Sequence, residues 1–91
     1  MEGLLSKDKI KLLLKFGPGR LFVNTADEHY KFYHVQVADK KCTVHFGRIG
    51  KATRIDSKEF YSNSGAEYYA QDKIKEKLKK GYVEIDKAKI V

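Results

Sequence analysis

The stretch KFYHVQVADKKCTVHF (Lys31–Phe46) decides the fold. In its first half Tyr33, Val35 and Val37 alternate with Phe32, His34 and Gln36. In its second half Cys42, Val44 and Phe46 alternate with Thr43 and His45. A period of two marks strands with one face turned to a core. Asp39-Lys40 is the polar break between them. A two-residue loop there sets Val35 opposite Val44 and Tyr33 opposite Phe46, so the two apolar faces coincide. The stretch therefore predicts an antiparallel hairpin.

Upstream, Arg20–Thr25 (RLFVNT) is short, β-branched and aromatic, and reads as a strand ended by the polar ADEH. Gly17-Pro18-Gly19 breaks whatever precedes it. Leu4–Phe16 supports two readings, and both stay open. Ser6 caps a helix from Lys7 with Asp8 in its first turn, or Ile10, Leu12 and Leu14 alternate along a strand.

Downstream, Ala52–Tyr61 reads as a more polar strand closing on Phe60. Ser64 and Glu67 have the spacing of a capping box, with Ser62 as an alternative cap. Ala66, Tyr69, Ala70, Ile74 and Leu78 then recur at helical spacing, giving one apolar stripe on a helix of about four turns. Lys73, Lys75, Lys77, Lys79 and Lys80 load its polar side and its C-terminus, where the helix dipole favours cations. Gly81 is placed just past the helix end, and Tyr82–Ile85 is a last short strand. The fold class is α+β: an antiparallel sheet with one amphipathic helix packed across it.

At 91 residues the chain is one domain, short enough that it buries only about 60–65% of its unfolded surface. The expected division is an N-terminal extension, 1–19, and a domain, 20–91. A single cysteine, Cys42, excludes an internal disulfide and a cysteine-rich zinc site. A lone thiol fits a reducing, intracellular setting. Charges interrupt Met1–Ile10 before any secretory apolar run forms, and Leu12–Leu14 is far short of the ~20 residues of a membrane helix. A soluble protein with no membrane partner is expected, with a monomer as its oligomeric state.

The net charge is +7, and it is uneven: +1 over residues 1–30, +4 over 31–60 and +2 over 61–91. An excess centred on one segment points to nucleic acid or another polyanion. A lysine-rich surface that serves solubility is the plainer alternative.

Catalytic equipment is missing from the sequence: no Ser, His and acid set in a recognisable context, no Walker loop, no helical histidine pair. No catalytic residue, cofactor or metal is expected. His34 and His45 lie opposite each other across the hairpin, but Cys42 falls on the other face, so they read as two half-exposed strand histidines. GPGR is a turn rather than a phosphate loop, lacking both the strand–loop–helix context and the Lys-Ser/Thr.

What remains is HFGRIGK (His45–Lys51). Its glycines allow tight backbone and close approach of another chain. Phe46 offers a flat face for a sugar or base, and Arg48 a planar fork for phosphate or carboxylate. The competing reading is a glycine-kinked strand with Phe46 in the core and Arg48 in an internal salt bridge.

KFYHVQV, then VHFGRIG, KEFYS, Ala66 opening a helix, and KEKLKKGYVEI together resemble a WGR domain in order and spacing, over about Arg20–Ile85. The family takes its name from a Trp-Gly-Arg core and occurs in DNA-dependent poly(ADP-ribose) polymerases and in bacterial proteins, sometimes alone. The resemblance implies an antiparallel sheet crossed by one helix. It also implies binding to DNA near a strand end or break, with the motif aromatic against the terminal nucleotide and the motif Arg organising the interface.

Carried over, Phe46 takes the place of the Trp, Gly47 that of the Gly and Arg48 that of the Arg. Lys31 matches a Lys that lies near DNA in some members. Phe46 offers less stacking surface than Trp and no indole N–H, and His45 replaces the usual Arg before it, removing a permanent charge. Nothing in the chain supplies an ADP-ribosyl transferase domain.

The expected function is a non-catalytic module that binds DNA (or RNA), at duplex ends or breaks, in a nucleus or nucleoid. The expected site is Lys31, His45, Phe46, Gly47, Arg48, Lys51 and Arg54. The cations would neutralise backbone phosphates while Phe46 stacks, with a dissociation constant of about 10⁻⁴–10⁻⁶ M at physiological salt. The alternative partner is a protein, such as an ADP-ribosyl transferase catalytic domain, held by the same Phe46 and Arg48 surface.

Overall fold

The computed structural model describes residues 12–26 and 30–86. Five strands, β1 (Arg20–Asn24), β2 (Lys31–Ala38), β3 (Lys41–Arg48), β4 (Arg54–Glu59) and β5 (Val83–Ile85), form one antiparallel sheet in the order β4-β3-β2-β1-β5. One helix, α1 (Asn63–Lys79), crosses it. The α+β reading holds.

The β2–β3 hairpin has the predicted register, with Tyr33 opposite Phe46, His34 opposite His45 and Val35 opposite Val44. Both loop residues are left-handed, Asp39 at φ 54° and Lys40 at φ 64°, as a two-residue hairpin turn of primed type demands. A lysine is unusual in that region, and here the turn is held from outside. The Lys40 N–H donates to Asn63 Oδ1 at 2.7 Å, and the Phe60 N–H donates to the Lys40 carbonyl at 2.8 Å.

Sheet periodicity sorts the core into two layers. On the helix side Phe22, Tyr33, Val35, Cys42 and Val44 pack with Ala66, Ala70 and Ile74 of α1. On the other side Leu21, Val23 and Phe32 pack with Leu13, against Phe16, Ile49 and Ile85. Strand β1 is covered on both faces, which is why Leu21, Phe22 and Val23 form an unbroken apolar run.

The end of the first block is helical: Leu12 and Leu13 lead into a 3₁₀ turn at Leu14–Phe16. The rest of the helix-or-strand question, with Ser6 and Asp8, lies outside the described residues. Gly19 permits a close approach, because a Cβ there would collide with the Val35 carbonyl and lie 2.9 Å from the His34 ring. His34 is therefore fully buried rather than half-exposed.

Several expectations shift at element ends. Strand β4 is shorter than Ala52–Tyr61. The cap of α1 is Ser62, whose hydroxyl accepts from the Gly65 N–H at 3.1 Å, rather than Ser64. The helix closes as predicted at Gly81 (φ 96°), where Gly81 and Tyr82 N–H groups reach back to the Leu78 and Lys77 carbonyls at 3.2 and 3.0 Å.

Leu78, assigned to the apolar stripe, is 48% exposed. Twelve residues past Ala66 it has rotated about 120° from the stripe, whereas Lys77 at eleven has rotated only about 20°. Lys73 and Lys77, assigned to the polar side, are instead half-buried and turned toward the sheet.

Candidate nucleic-acid interface

The open end of the hairpin forms the site. Across β2 and β3, Lys31 pairs with Arg48, Phe32 with Gly47 and Tyr33 with Phe46, and across β3 and β4 Phe46 pairs with Arg54. Even-numbered β3 residues face α1, so Phe46 and Arg48 project on the helix side together with Lys31, Tyr33 and Arg54.

Chain reversal after β3 is a turn closed by the Lys51 N–H to the Arg48 carbonyl at 3.1 Å, with Gly50 at φ 86° as its third residue. That position of a type II turn needs positive φ. Gly47, at φ 146°, leaves room for the returning loop, since a Cβ there would lie 3.1 Å from the Ala52 carbonyl. The close approach that Gly47 allows is thus made by the protein's own chain.

Six of the seven predicted residues, Lys31, Phe46, Gly47, Arg48, Lys51 and Arg54, line one hollow of about 490 Å³. The seventh, His45, is not among them. It faces the opposite side of the sheet, stacked on Phe16 with ring centroids 4.7 Å apart. Burial lowers its pKa, and its Nδ1 has no hydrogen-bond partner among the described residues.

The hollow also contains residues that the sequence did not single out: Lys77 from α1, Tyr82 from the segment that follows it, and Tyr33. The Lys77 ammonium sits over two of these rings, 4.7 Å from the Tyr33 centroid and 5.5 Å from that of Tyr82. Its pKa is lowered, first by burial and then by Lys80, with Lys73 and Lys31 adding to the effect and Glu76 opposing it. The eleven-residue spacing from Ala66 was the available signal for Lys77.

Five cations and four aromatic residues therefore line the hollow, and among the described residues no carboxylate does. Phe46 is half-buried, its ring tilted against Tyr33 at 6.2 Å. It is both part of the core margin and a wall of the site. The arrangement suits an anionic ligand with a flat group: guanidinium and ammonium groups for phosphate, ring faces for sugar or base. Among the described residues no group of three or more His, Cys, Asp or Glu side chains is placed to hold a metal ion, and no helix is long and apolar enough to cross a membrane.

Comparison with curated proteins finds no match. Among solved structures, a Bacteroides fragilis protein determined by a structural genomics consortium is similar, with a TM-score of 0.71 and 33% identity over 80% of this chain. The match spans 21% of that protein, so this chain corresponds to about a fifth of its length. The family model for the WGR domain matches residues 21–89, from the second residue of β1 to beyond β5, with Phe46-Gly47-Arg48 inside the match. By that match the chain belongs to the WGR domain family.

Proposed function

We propose that this WGR domain is a non-catalytic module that binds DNA at duplex ends or breaks, gripping backbone phosphates in the basic hollow. The observation that carries the reading is the convergence of Lys31, Arg48, Lys51, Arg54 and Lys77 on one aromatic-lined hollow that no carboxylate among the described residues lines. Cations gathered on one face repel one another, and a bound polyanion relieves that repulsion. Terminal nucleotides have the exposed sugar and base faces that Phe46 can cover. Such a module acts where DNA is, in a nucleus or nucleoid.

Fluorescence anisotropy with a short labelled duplex, repeated across salt concentrations, tests this. Unlabelled linear and closed-circular DNA compete at equal nucleotide concentration. Micromolar binding that weakens with salt and yields more readily to linear DNA is expected. Equal competition would reduce the site to a general basic surface, and no binding at low salt would overturn the reading.

A protein partner is the second reading, favoured by one fact: the similar Bacteroides fragilis chain is about five times as long as the matched region. Binding of a neighbouring domain to the Phe46 and Arg48 surface, with weak salt dependence, would support it over DNA.

A further inference from the structure

Strand β4 forms one edge of the sheet, and all six of its residues, Arg54–Glu59, are exposed. The core under α1 is drawn from β1, β2 and β3, so the outer side of β4 lies beyond the helix. Among the described residues no strand pairs with that outer side. Ile55 is left 66% exposed there.

The phase of the ladder fixes which backbone groups point outward. The Phe60 N–H donates to the Lys40 carbonyl at 2.8 Å, and this contact continues the register of the Val44–Asp56 and Cys42–Lys58 pairs. Even-numbered residues of β4 therefore turn their N–H and C=O groups toward β3. Those of Ile55, Ser57 and Glu59 turn outward, a row on which another strand can pair.

Charges on an edge commonly keep strands apart, but those of β4 suit one partner, a second β4 running antiparallel. A two-fold axis perpendicular to the sheet sets even residues opposite even ones and odd opposite odd. With Ser57 against Ser57, the Ser57 pair and the two Ile55–Glu59 pairs exchange their backbone hydrogen bonds. Asp56 of each copy then stands opposite Lys58 of the other, in the non-hydrogen-bonded pairs where side chains come closest. Both side chains lie on the helix side, and Asp56 makes no hydrogen bond or ion pair among the described residues.

Neighbouring registers are worse. Centring on Asp56 sets that carboxylate against itself and Arg54 against Lys58, and centring on Lys58 sets two ammonium groups together. Centring on Ile55 pairs Arg54 with Asp56 but leaves Lys58 and Glu59 opposite the loop ahead of the strand.

We propose that β4 is a self-association edge through which two copies of this chain form one continuous antiparallel sheet, centred on Ser57 with reciprocal Asp56–Lys58 pairs. This is a dimer rather than the monomer expected from the sequence. The axis keeps both helices on one face, so both basic hollows open on the same side. Arg54 of each copy lies opposite Phe60 of the other, which brings each copy to the margin of the other's hollow. The two Arg54 positions fall roughly 20 Å apart along the strands.

Sedimentation equilibrium at rising protein concentration tests this. The parent is expected to show a monomer–dimer equilibrium that weakens with salt. Asp56→Lys and Lys58→Asp each set like charges opposite one another, and each is expected to weaken dimerisation about tenfold. An equimolar mixture of the two variants restores opposite charges in both pairs and is expected to associate again. Thermal melts check that each variant folds, and the double variant Asp56→Lys/Lys58→Asp, with the parent's composition, should dimerise with itself. A parent that stays monomeric at every concentration overturns the proposal. So does either single variant that dimerises as the parent does, or a mixture and a double variant that both fail to associate.

Discussion

The Lys77 ammonium rests 4.7 Å from the centroid of the Tyr33 ring, so the helix contributes a cation to a site whose other cations come from the sheet and the loop after β3. Burial and the neighbouring Lys80 hold its pKa below the usual lysine value of 10.5. A bound phosphate opposes that shift by favouring the charged form. Binding therefore takes up protons, and affinity falls as pH rises through the window between the depressed pKa and that of the complex. Lys77→Met is expected to flatten this dependence and to reduce the slope of log affinity against log salt by about 0.9 for duplex DNA. Anisotropy titrations across alkaline pH read both effects. Unchanged slopes would remove Lys77 from the site.

Much of the fold was legible because two independent constraints agreed. In Lys31–Phe46 the period-two pattern and the two-residue break fix the same register, and that register places His34 and His45 as observed. Lys77 was illegible for the opposite reason. A charged residue on an apolar stripe contradicts the hydrophobic pattern, and only its stem is accommodated there while the ammonium lies over aromatic rings. Nor did the sequence reveal the second apolar layer, because Leu13 and Phe16 belong to a block whose helix and strand patterns overlap. Phe46 had been posed as core or site; its half-buried position at the margin of the core makes both descriptions partly true.

Phe46 should therefore respond to substitution in two separable ways. Phe46→Ala removes a half-buried ring from its contact with Tyr33 and is expected to cost about 2 kcal/mol of stability. Phe46→Leu keeps much of the volume and should cost less than about 1.5 kcal/mol, yet it should still weaken DNA binding by about 1–2 kcal/mol through loss of the stacking face. Chemical denaturation and anisotropy on the same samples separate the effects. A leucine variant that binds DNA as well as the parent would leave Phe46 a core residue only.

Ser62 and Ser64 provide a test of the helix start. Only the Ser62 hydroxyl meets a free helix N–H, that of Gly65 at 3.1 Å. Ser62→Ala should destabilise the domain by about 1 kcal/mol, lowering Tm by roughly 4–8 °C in a domain of this size. Ser64→Ala, inside the first turn, should be neutral or slightly stabilising. Comparable losses at both positions would place the cap elsewhere.

Gly47 and Gly50 both have positive φ, but their surroundings differ. A Cβ on Gly50 meets nothing within 4 Å, whereas one on Gly47 presses on the Ala52 carbonyl at 3.1 Å. Gly50→Ala should therefore cost about 1 kcal/mol of backbone strain alone, and Gly50→Asn less, since asparagine tolerates left-handed backbone. Gly47→Ala should cost more than either and should also weaken DNA binding, because the loop it displaces contains Lys51. Thermal melts that rank Gly50→Ala below Gly47→Ala would contradict this account of the turn.

His45 offers a pH test that is independent of DNA. Stacked on Phe16, and with Nδ1 lacking a hydrogen-bond partner among the described residues, it is held by burial below the ordinary histidine value of 6.5. In the window between that depressed pKa and 6.5, the unfolded chain carries more protons on this residue than the folded one. The stability tied to its neutral form is thus complete above pH 6.5 and is lost as pH falls through the window. His45→Phe preserves an aromatic partner for Phe16 but cannot titrate. Its Tm should fall less steeply than that of the parent between pH 6.5 and the depressed pKa. Because His45 faces away from the basic hollow, the same substitution should leave DNA affinity at pH 7.5 unchanged, whereas Arg48→Ala should reduce it. If His45→Phe weakened binding as much as Arg48→Ala did, DNA would have to engage both faces of the sheet, and the assignment of the site to the helix side would fail.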